Sequence, residues 1–211
     1  MIVDTRLVYL YLVLFLFINL NFSPEAQASS AEKPNKHAII HTSMGDINIE
    51  LYAHDAPITV ANFIAYIKDS AYKGGEFYRV VRSDNDQGTP QIAVIQGRAH
   101  PQHIDFAPIP IETTQYTSRK HQDGTLSMAR GGPNTATQEF FICVGDQPAL
   151  DFGGKRNPDG LGFAAFGRVT SGMDIVRRIQ QNRNTKSVEE PYIKDQILAQ
   201  PIEIQAITLS K

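Results

Sequence analysis

LSMARGGPNTATQEFFIC, residues 126–143, is the stretch that says most about the fold. An apolar run lies at each end, and glycine, proline, asparagine and threonine fill much of the segment between them. Short apolar runs bounded by such turn-forming residues are typical of β-strands joined by a loop. The sequence therefore predicts one strand over residues 125–128 and another over residues 139–144.

Further short strands are predicted outward from this stretch. The candidates are residues 38–40, 47–51, 77–81, 93–96, 164–169 and 202–209, which makes about eight strands in all. Met44-Gly45-Asp46 predicts a tight turn between the first two. The later connections hold no convincing crossover helix, which argues against parallel βαβ units. An antiparallel sheet of this size gains by closing because closure removes its edges.

Two helices are predicted to accompany the strands. Pro57 suits the first position of a helix, and Val60, Phe63, Ile64 and Ile67 follow it as one apolar stripe. A second short helix is predicted over residues 173–181. The predicted fold is therefore mainly β, a closed eight-stranded antiparallel β-barrel capped by two α-helices.

Composition limits the possible partners. The 211 residues carry a net charge of −2 with a pI of about 6.3, so nothing electrostatic favours nucleic acid. Cys143 is the only cysteine, which excludes an intrachain disulfide. Its apolar neighbours favour a buried thiol over a nucleophile.

The first 28 residues have the pattern of a secretory signal peptide. Arg6 precedes an apolar run over residues 7–20, and Ala26-Gln27-Ala28 forms a small-residue cleavage site. We expect cleavage after Ala28, a linker over residues 29–36, and a domain over residues 37–211 that is periplasmic or secreted and free of the membrane. The alternative is an uncleaved N-terminal anchor, although the run is shorter than the roughly 20 residues that span a bilayer.

No cofactor or metal site is predicted. The GLG of residues 160–162 lacks the dinucleotide-binding spacing, and the GGK of residues 153–155 lacks the rest of a phosphate loop. His100 and His103 are joined by no ligand cluster beyond Asp105.

Several segments resemble the cyclophilin family, and they occur in the family's order. They are FYRVV at 77–81, IQG at 95–97, LSMARGGPNT at 126–135, EFFIC at 139–143, and FGRV at 166–169. The family pattern is F-H-R-[VI]-I, then Q-G-G, L-S-M-A-x-x-G-P-x-[TS] and Q-F-F-I. The resemblance, typical of a bacterial exported member, implies the same capped barrel and peptidyl-prolyl cis-trans isomerase activity.

The resemblance also implies a set of site residues. Arg79 and Gln96 match the catalytic arginine and the glutamine beside it, and no metal is implied. The matching substrate-binding positions are Phe141, Leu150, Phe163, Ala129, Arg130, Val94 and Ala93. A purely structural interpretation stays open for three of these residues. Arg79 could be a structural arginine, Phe141 a core residue, and Gln96 an ordinary polar residue at a strand end.

The sequence departs from the family pattern at the predicted pocket. The interval from Arg79 to Gln96 is roughly nine residues longer than usual, which predicts a polar rim loop over residues 82–92. Ala149 and Phe163 stand where the family has tryptophan and histidine, and Glu139 replaces a glutamine. We expect an isomerase that acts on proline-containing unfolded or extended polypeptides as a monomer and assists the folding of exported proteins. The alternative is a peptide-binding or chaperone-like barrel with weak isomerase activity.

Overall fold

A two-residue hairpin joins the first two strands, β1 (Lys36–Thr42) and β2 (Gly45–Leu51). A computed structural model, which describes residues 35–210, pairs Thr42 with Gly45 and leaves Ser43 and Met44 as the turn. Gly45 has a φ of +127°, which favours glycine. The tight turn predicted here is present.

Six more strands close the sheet into a barrel. They are β3 (Gly75–Val81), β4 (Val94–Arg98), β5 (Thr125–Met128), β6 (Phe140–Cys143), β7 (Ala165–Ser171) and β8 (Ile197–Leu209). The order around the barrel is β1-β2-β7-β5-β6-β4-β3-β8, with every pair antiparallel. The predicted eight-stranded antiparallel barrel is confirmed.

Strand β8 begins earlier than predicted. Proline cannot donate to a strand ladder and is therefore uncommon inside a strand. In the structure the strand runs through Pro201, which lies where the pairing with β3 shifts register, between Ile197 and Ile202. This early part of β8 pairs with Arg79.

Three helices pack with the barrel: α1 (Pro57–Lys68), α2 (Thr114–Thr117) and α3 (Met173–Gln180). Helices α1 and α3 confirm the two predicted helices and bury their apolar residues in the main core. For example, the ring of Phe63 meets that of Phe140 edge-on at 5.4 Å. Helix α2 was not predicted, because four residues carry no periodicity. No helix within residues 35–210 has both the length and the hydrophobicity to cross a membrane.

Strand alternation separates two apolar clusters. Ile95, Phe140 and Ile142 belong to the main core, whereas their neighbours Val94 and Phe141 belong to a second, smaller cluster. Successive side chains of a barrel strand point alternately inward and outward. The smaller cluster therefore lies on the outer face of β4 and β6, where it supports the site described next.

Candidate active site

A cavity of about 430 Å³ adjoins this outer apolar cluster. It is lined by Arg79, Ile92, Val94, Gln96, Ala129, Arg130, Gly131, Phe141, Leu150, Arg156, Asn157, Pro158, Asp159, Phe163 and Tyr192. The structure thus brings together eight of the nine residues that the sequence nominated. Their roles in binding or catalysis stay predictions.

Ala93 is the nominated residue that does not line the cavity. Its N–H donates to Gln147 Oε1 at 3.1 Å, and its carbonyl accepts from Val144 N at 2.9 Å. Because side chains alternate along extended chain, Ile92 and Val94 reach the cavity while Ala93 does not. Ile92 therefore supplies the contact that was expected from Ala93.

A β-bulge aims Arg79 at this cavity. Phe77 pairs with Gly97 and Arg79 pairs with Gln96, so Tyr78 is an extra residue in β3. With regular pairing Arg79 would share the inward face of Phe77, which is fully buried in the core. The extra residue shifts the alternation and brings the side chains of Arg79 and Gln96 together on the outer face.

Two glutamine carboxamides hold the guanidinium of Arg79. Its NH1 donates to Gln96 Oε1 at 3.1 Å, while Nε and NH2 donate to Gln196 Oε1 at 2.9 and 2.6 Å. Three of the five guanidinium N–H donors are used in this way, which leaves two for a ligand. Burial lowers the pKa of Arg79, but an arginine still stays charged at neutral pH. Both hydrogen-bond partners are neutral, so neither of them forms an ion pair with the guanidinium.

Gln196 is in turn locked by the segment that lengthens the Arg79–Gln96 interval. Its Nε2 donates to the carbonyls of Asn85 and Tyr192 at 2.9 and 3.1 Å, and the residue is fully buried. The expectation of a merely polar rim loop was incomplete. Arg82, Asn85 and Asp86 of this segment are buried, because they bond to backbone and charged groups beneath the site.

The other two arginines of the cavity are paired with carboxylates. Arg130 donates to both oxygens of Asp159 at 2.7 and 2.9 Å. Arg156 donates to both oxygens of Asp86 at 2.8 Å, in an ion pair whose side chains are 3% and 0% exposed. Arg79 is thus the lining arginine that contacts neutral groups alone. Cation and carboxylate neutralise each other in the remaining pairs.

Aromatic rings form an apolar wall of the cavity. Phe141 meets Phe163 edge-on at 5.3 Å and stacks on the buried ring of His121 at 6.0 Å. His121 is held by Asp151 at 2.8 Å and by Ser127 Oγ at 2.9 Å. Burial alone would raise the pKa of Asp151, but the hydrogen bonds from His121 hold it below its usual value.

This Asp–His–Ser arrangement resembles a hydrolase triad in its order of contacts. Ser127 is fully buried, however, and does not line the cavity. A nucleophile must reach its substrate. The network therefore supports the ring of Phe141, and Ser127 is not placed to reach a substrate in the cavity.

Sequence reasoning nominated neither Gln196, which holds Arg79, nor seven of the fifteen residues that line the cavity, among them Ile92, Arg156 and Tyr192. Tyr192 and Gln196 follow helix α3 in a polar stretch outside every motif, and Arg156 follows the discarded GGK segment. Ile92 ends the inserted segment. The alternation of side chains from Val94 could have identified Ile92. The other three residues reach the site through contacts between parts of the chain that are distant in sequence.

No group of three or more His, Cys, Asp or Glu side chains that could hold a metal ion occurs in the described part of the chain. Of the two histidines considered above, His103 is paired with Asp69 at 2.9 Å.

The sequence pattern of the family described as "Cyclophilin type peptidyl-prolyl cis-trans isomerase/CLD" matches residues 37–205. A mouse protein named peptidylprolyl isomerase domain and WD repeat-containing protein 1 is 33% identical over 166 residues, which are 79% of this chain. The chain spans about a quarter (24%) of that relative's length. Peptidyl-prolyl cis-trans isomerase A of Dickeya dadantii is 31% identical over 90% of both chains.

The fold has solved relatives as well. A crystal structure of a Cryptosporidium parvum cyclophilin type peptidyl-prolyl cis-trans isomerase covers 84% of this chain with a TM-score of 0.62 at 22% identity. A second structure of that protein was determined in the presence of the dipeptide Ala-Pro, with a TM-score of 0.61.

These matches agree with the observed barrel on the class of protein, a cyclophilin fold. The chain belongs to the cyclophilin-type peptidyl-prolyl cis-trans isomerase family.

Proposed function

We propose that this chain isomerises X-Pro peptide bonds in unfolded or extended polypeptides, with Arg79 as the catalytic group. The observation that carries the proposal is that, among the described residues, no carboxylate pairs directly with Arg79. Its hydrogen-bond partners are the amides Gln96 and Gln196, whereas Arg130 and Arg156 are paired with carboxylates.

A fixed cationic donor beside the X-Pro bond would lower the barrier to its rotation. Rotation about the C–N bond removes its partial double-bond character, and the barrier is roughly 18–20 kcal/mol. In the twisted state the nitrogen lone pair is no longer delocalised, so it can accept a hydrogen bond. A fixed guanidinium donor interacts more strongly with that state than with the planar amide, and such a difference accelerates the reaction.

The apolar wall suits the proline ring. Phe141, Leu150 and Phe163 form one continuous surface of the cavity, and a buried pyrrolidine ring would exchange water for their carbon atoms. Holding the ring still while the preceding carbonyl rotates is the positioning that catalysis of this step requires. The Ala-Pro dipeptide used with the Cryptosporidium relative is of the same chemical class.

Arg79→Ala tests the assignment directly. We expect kcat/KM for a proline-containing peptide to fall by roughly one hundredfold or more, about 2.7 kcal/mol of transition-state stabilisation. Arg168→Ala is the matched control, because Arg168 is exposed and pairs with Glu50 away from the cavity. Circular dichroism and Tm should show both variants folded.

Wild-type turnover in a folded Arg79→Ala protein would overturn the role of Arg79. The same assay separates the alternative of a peptide-binding barrel with weak isomerase activity. That alternative predicts that the wild type binds proline peptides but accelerates their isomerisation little, and that Arg79→Ala changes neither property much.

The site of action belongs to the same proposal. We infer that the protein is exported to the periplasm or medium and assists the folding of exported proteins there as a monomer. The support is the apolar run followed by Ala26-Gln27-Ala28. Residues 1–28 and most of the linker lie outside the described residues.

N-terminal sequencing of the protein from its native host tests this inference. A chain that starts at or near Ser29 in the soluble exported fraction is expected. An intact Met1 in the membrane fraction would instead establish the anchor. Size-exclusion chromatography with light scattering should give the mass of one copy.

A further inference from the structure

The carboxamide of Gln96 is gripped at both ends. Its Oε1 accepts from Arg79 NH1 at 3.1 Å, and its Nε2 donates to Glu139 Oε2 at 2.6 Å and to Tyr78 Oη at 2.9 Å. A carboxylate can only accept and a guanidinium can only donate. Rotating the carboxamide by 180° would set donor against donor at Arg79 and acceptor against acceptor at Glu139.

Tyr78 completes a closed ring of hydrogen bonds. Its Oη donates to the same Glu139 Oε2 at 2.9 Å. Burial, together with the nearby Glu139 charge, raises the pKa of Tyr78 well above its ordinary value, so the phenol remains a donor at neutral pH. The hydrogen bonds among Tyr78, Gln96 and Glu139 are therefore consistent with a single orientation of the Gln96 carboxamide.

Both residues are departures of this chain from the family pattern. Tyr78 stands where that pattern has histidine, and Glu139 where it has glutamine. They are 61 positions apart in sequence yet meet on one carboxylate oxygen. A glutamine at position 139 could present either its oxygen or its nitrogen to Gln96, whereas a carboxylate dictates the direction.

We propose that Glu139, assisted by Tyr78, is a positioning residue: it fixes the orientation of the Gln96 carboxamide and through it the Arg79 guanidinium. The inference rests on the proposed function in so far as Arg79 is the catalytic group. Its geometric part, the single orientation of Gln96, does not depend on activity and is tested separately.

Glu139→Gln is the primary variant, because it keeps the shape and removes the accept-only character. We expect kcat to fall about tenfold with KM changed less than about twofold, since loss of orientation affects the transition state more than binding. Glu50→Gln removes a carboxylate on β2 away from Gln96 and serves as the matched control, with wild-type kinetics expected.

A double-mutant cycle shows whether Glu139 acts through Gln96. In a Gln96→Ala background we expect Glu139→Gln to change kcat less than about twofold, because the group to be oriented is gone. An equal loss in both backgrounds would overturn the proposal, since Glu139 would then act by another route. No loss in the wild-type background would overturn it equally.

The side-chain amide signals of Gln96 in a ¹⁵N-resolved NMR spectrum give a readout independent of catalysis. In the wild type the proton donated to the carboxylate should be shifted downfield and protected from exchange, and Glu139→Gln should remove both features. Unchanged amide signals would refute the positioning role. If the signals change while the wild type lacks isomerase activity, the orientation holds and the proposed function fails.

Discussion

Breaking the buried ion pair between Asp86 and Arg156 should destabilise the protein strongly. Both oxygens of Asp86 accept from Arg156 at 2.8 Å, and they also accept from the N–H groups of Gly88 and Ile92 at 3.0 and 2.7 Å. Asp86→Ala leaves a buried guanidinium with the Pro90 carbonyl as its remaining hydrogen-bond partner. Removing one partner of such a pair costs about 3–5 kcal/mol.

The measurement is Tm by calorimetry or circular dichroism. For a chain of this size each kcal/mol corresponds to about 2–4 °C, so Asp86→Ala should melt roughly 6–20 °C below the wild type. Asp174→Ala is the control, since Asp174 forms an exposed i,i+4 pair with Arg178. Exposed pairs contribute little, and its Tm should stay within about 2 °C of the wild type.

The double variant Asp86→Ala/Arg156→Met distinguishes charge from packing. With both charges removed, the apolar replacement should recover at least half of the lost Tm. If Asp86→Ala melts within 2 °C of the wild type, or the double variant is no more stable than the single one, the reasoning about an uncompensated buried charge is wrong.

The pair also predicts a dependence on pH. Burial alone would raise the pKa of Asp86, but the hydrogen bonds from Arg156, Gly88 and Ile92 together hold it below its usual value. Because the folded state binds the proton less readily than the unfolded state, this stabilisation is present above about pH 4 and is lost as pH falls through the folded pKa. The Tm difference between wild type and Asp86→Ala should therefore narrow in acid.

Three further predictions concern the cavity. In Gly162→Ala the new Cβ would lie 2.4 Å from the Leu150 carbonyl oxygen, whereas at Gly160, of similar φ, nothing lies within 4 Å. Gly162→Ala should therefore have a Tm several degrees lower than that of Gly160→Ala, and a larger loss of kcat/KM. Equal changes of Tm and kcat/KM in the two variants would contradict this prediction. Tyr192 lies over Arg79 at 5.8 Å and is 44% exposed, so Tyr192→Ala should raise KM about 2–10-fold for peptides with an aromatic residue beside proline. If Tyr192→Ala leaves the order of KM values among these peptides unchanged, Tyr192 does not contact the residue beside proline. Cyclosporin binds many family members in part through the tryptophan that Ala149 replaces. It should therefore bind this chain roughly 30-fold more weakly than it binds a tryptophan-bearing relative. Nanomolar inhibition of the wild type, or no gain in cyclosporin affinity in Ala149→Trp, would refute this prediction.

The sequence alone determined the architecture and identified eight of the fifteen residues that line the cavity. Alternation along short strands, two apolar helical stripes and the order of the motifs specify the barrel, because periodicity is a local property that burial enforces directly. The same motifs bring Gln96, Ala129 and Phe141 to one cavity. One error, Ala93, arose from alignment, and alternation from Val94 could have corrected it.

Only the tertiary structure decided how Arg79 is aimed and held. The bulge at Tyr78 turns Arg79 from the core face to the cavity, and nothing in the local pattern of β3 predicts an extra residue. Its partner Gln196 lies 117 positions away, in a polar stretch without periodicity. Strand register and long-range packing decide which side-chain amides contact the Arg79 guanidinium. They also decide which carboxylate orients the Gln96 amide. Those contacts form only when distant parts of the chain are brought together, so the local sequence carries no signal for them.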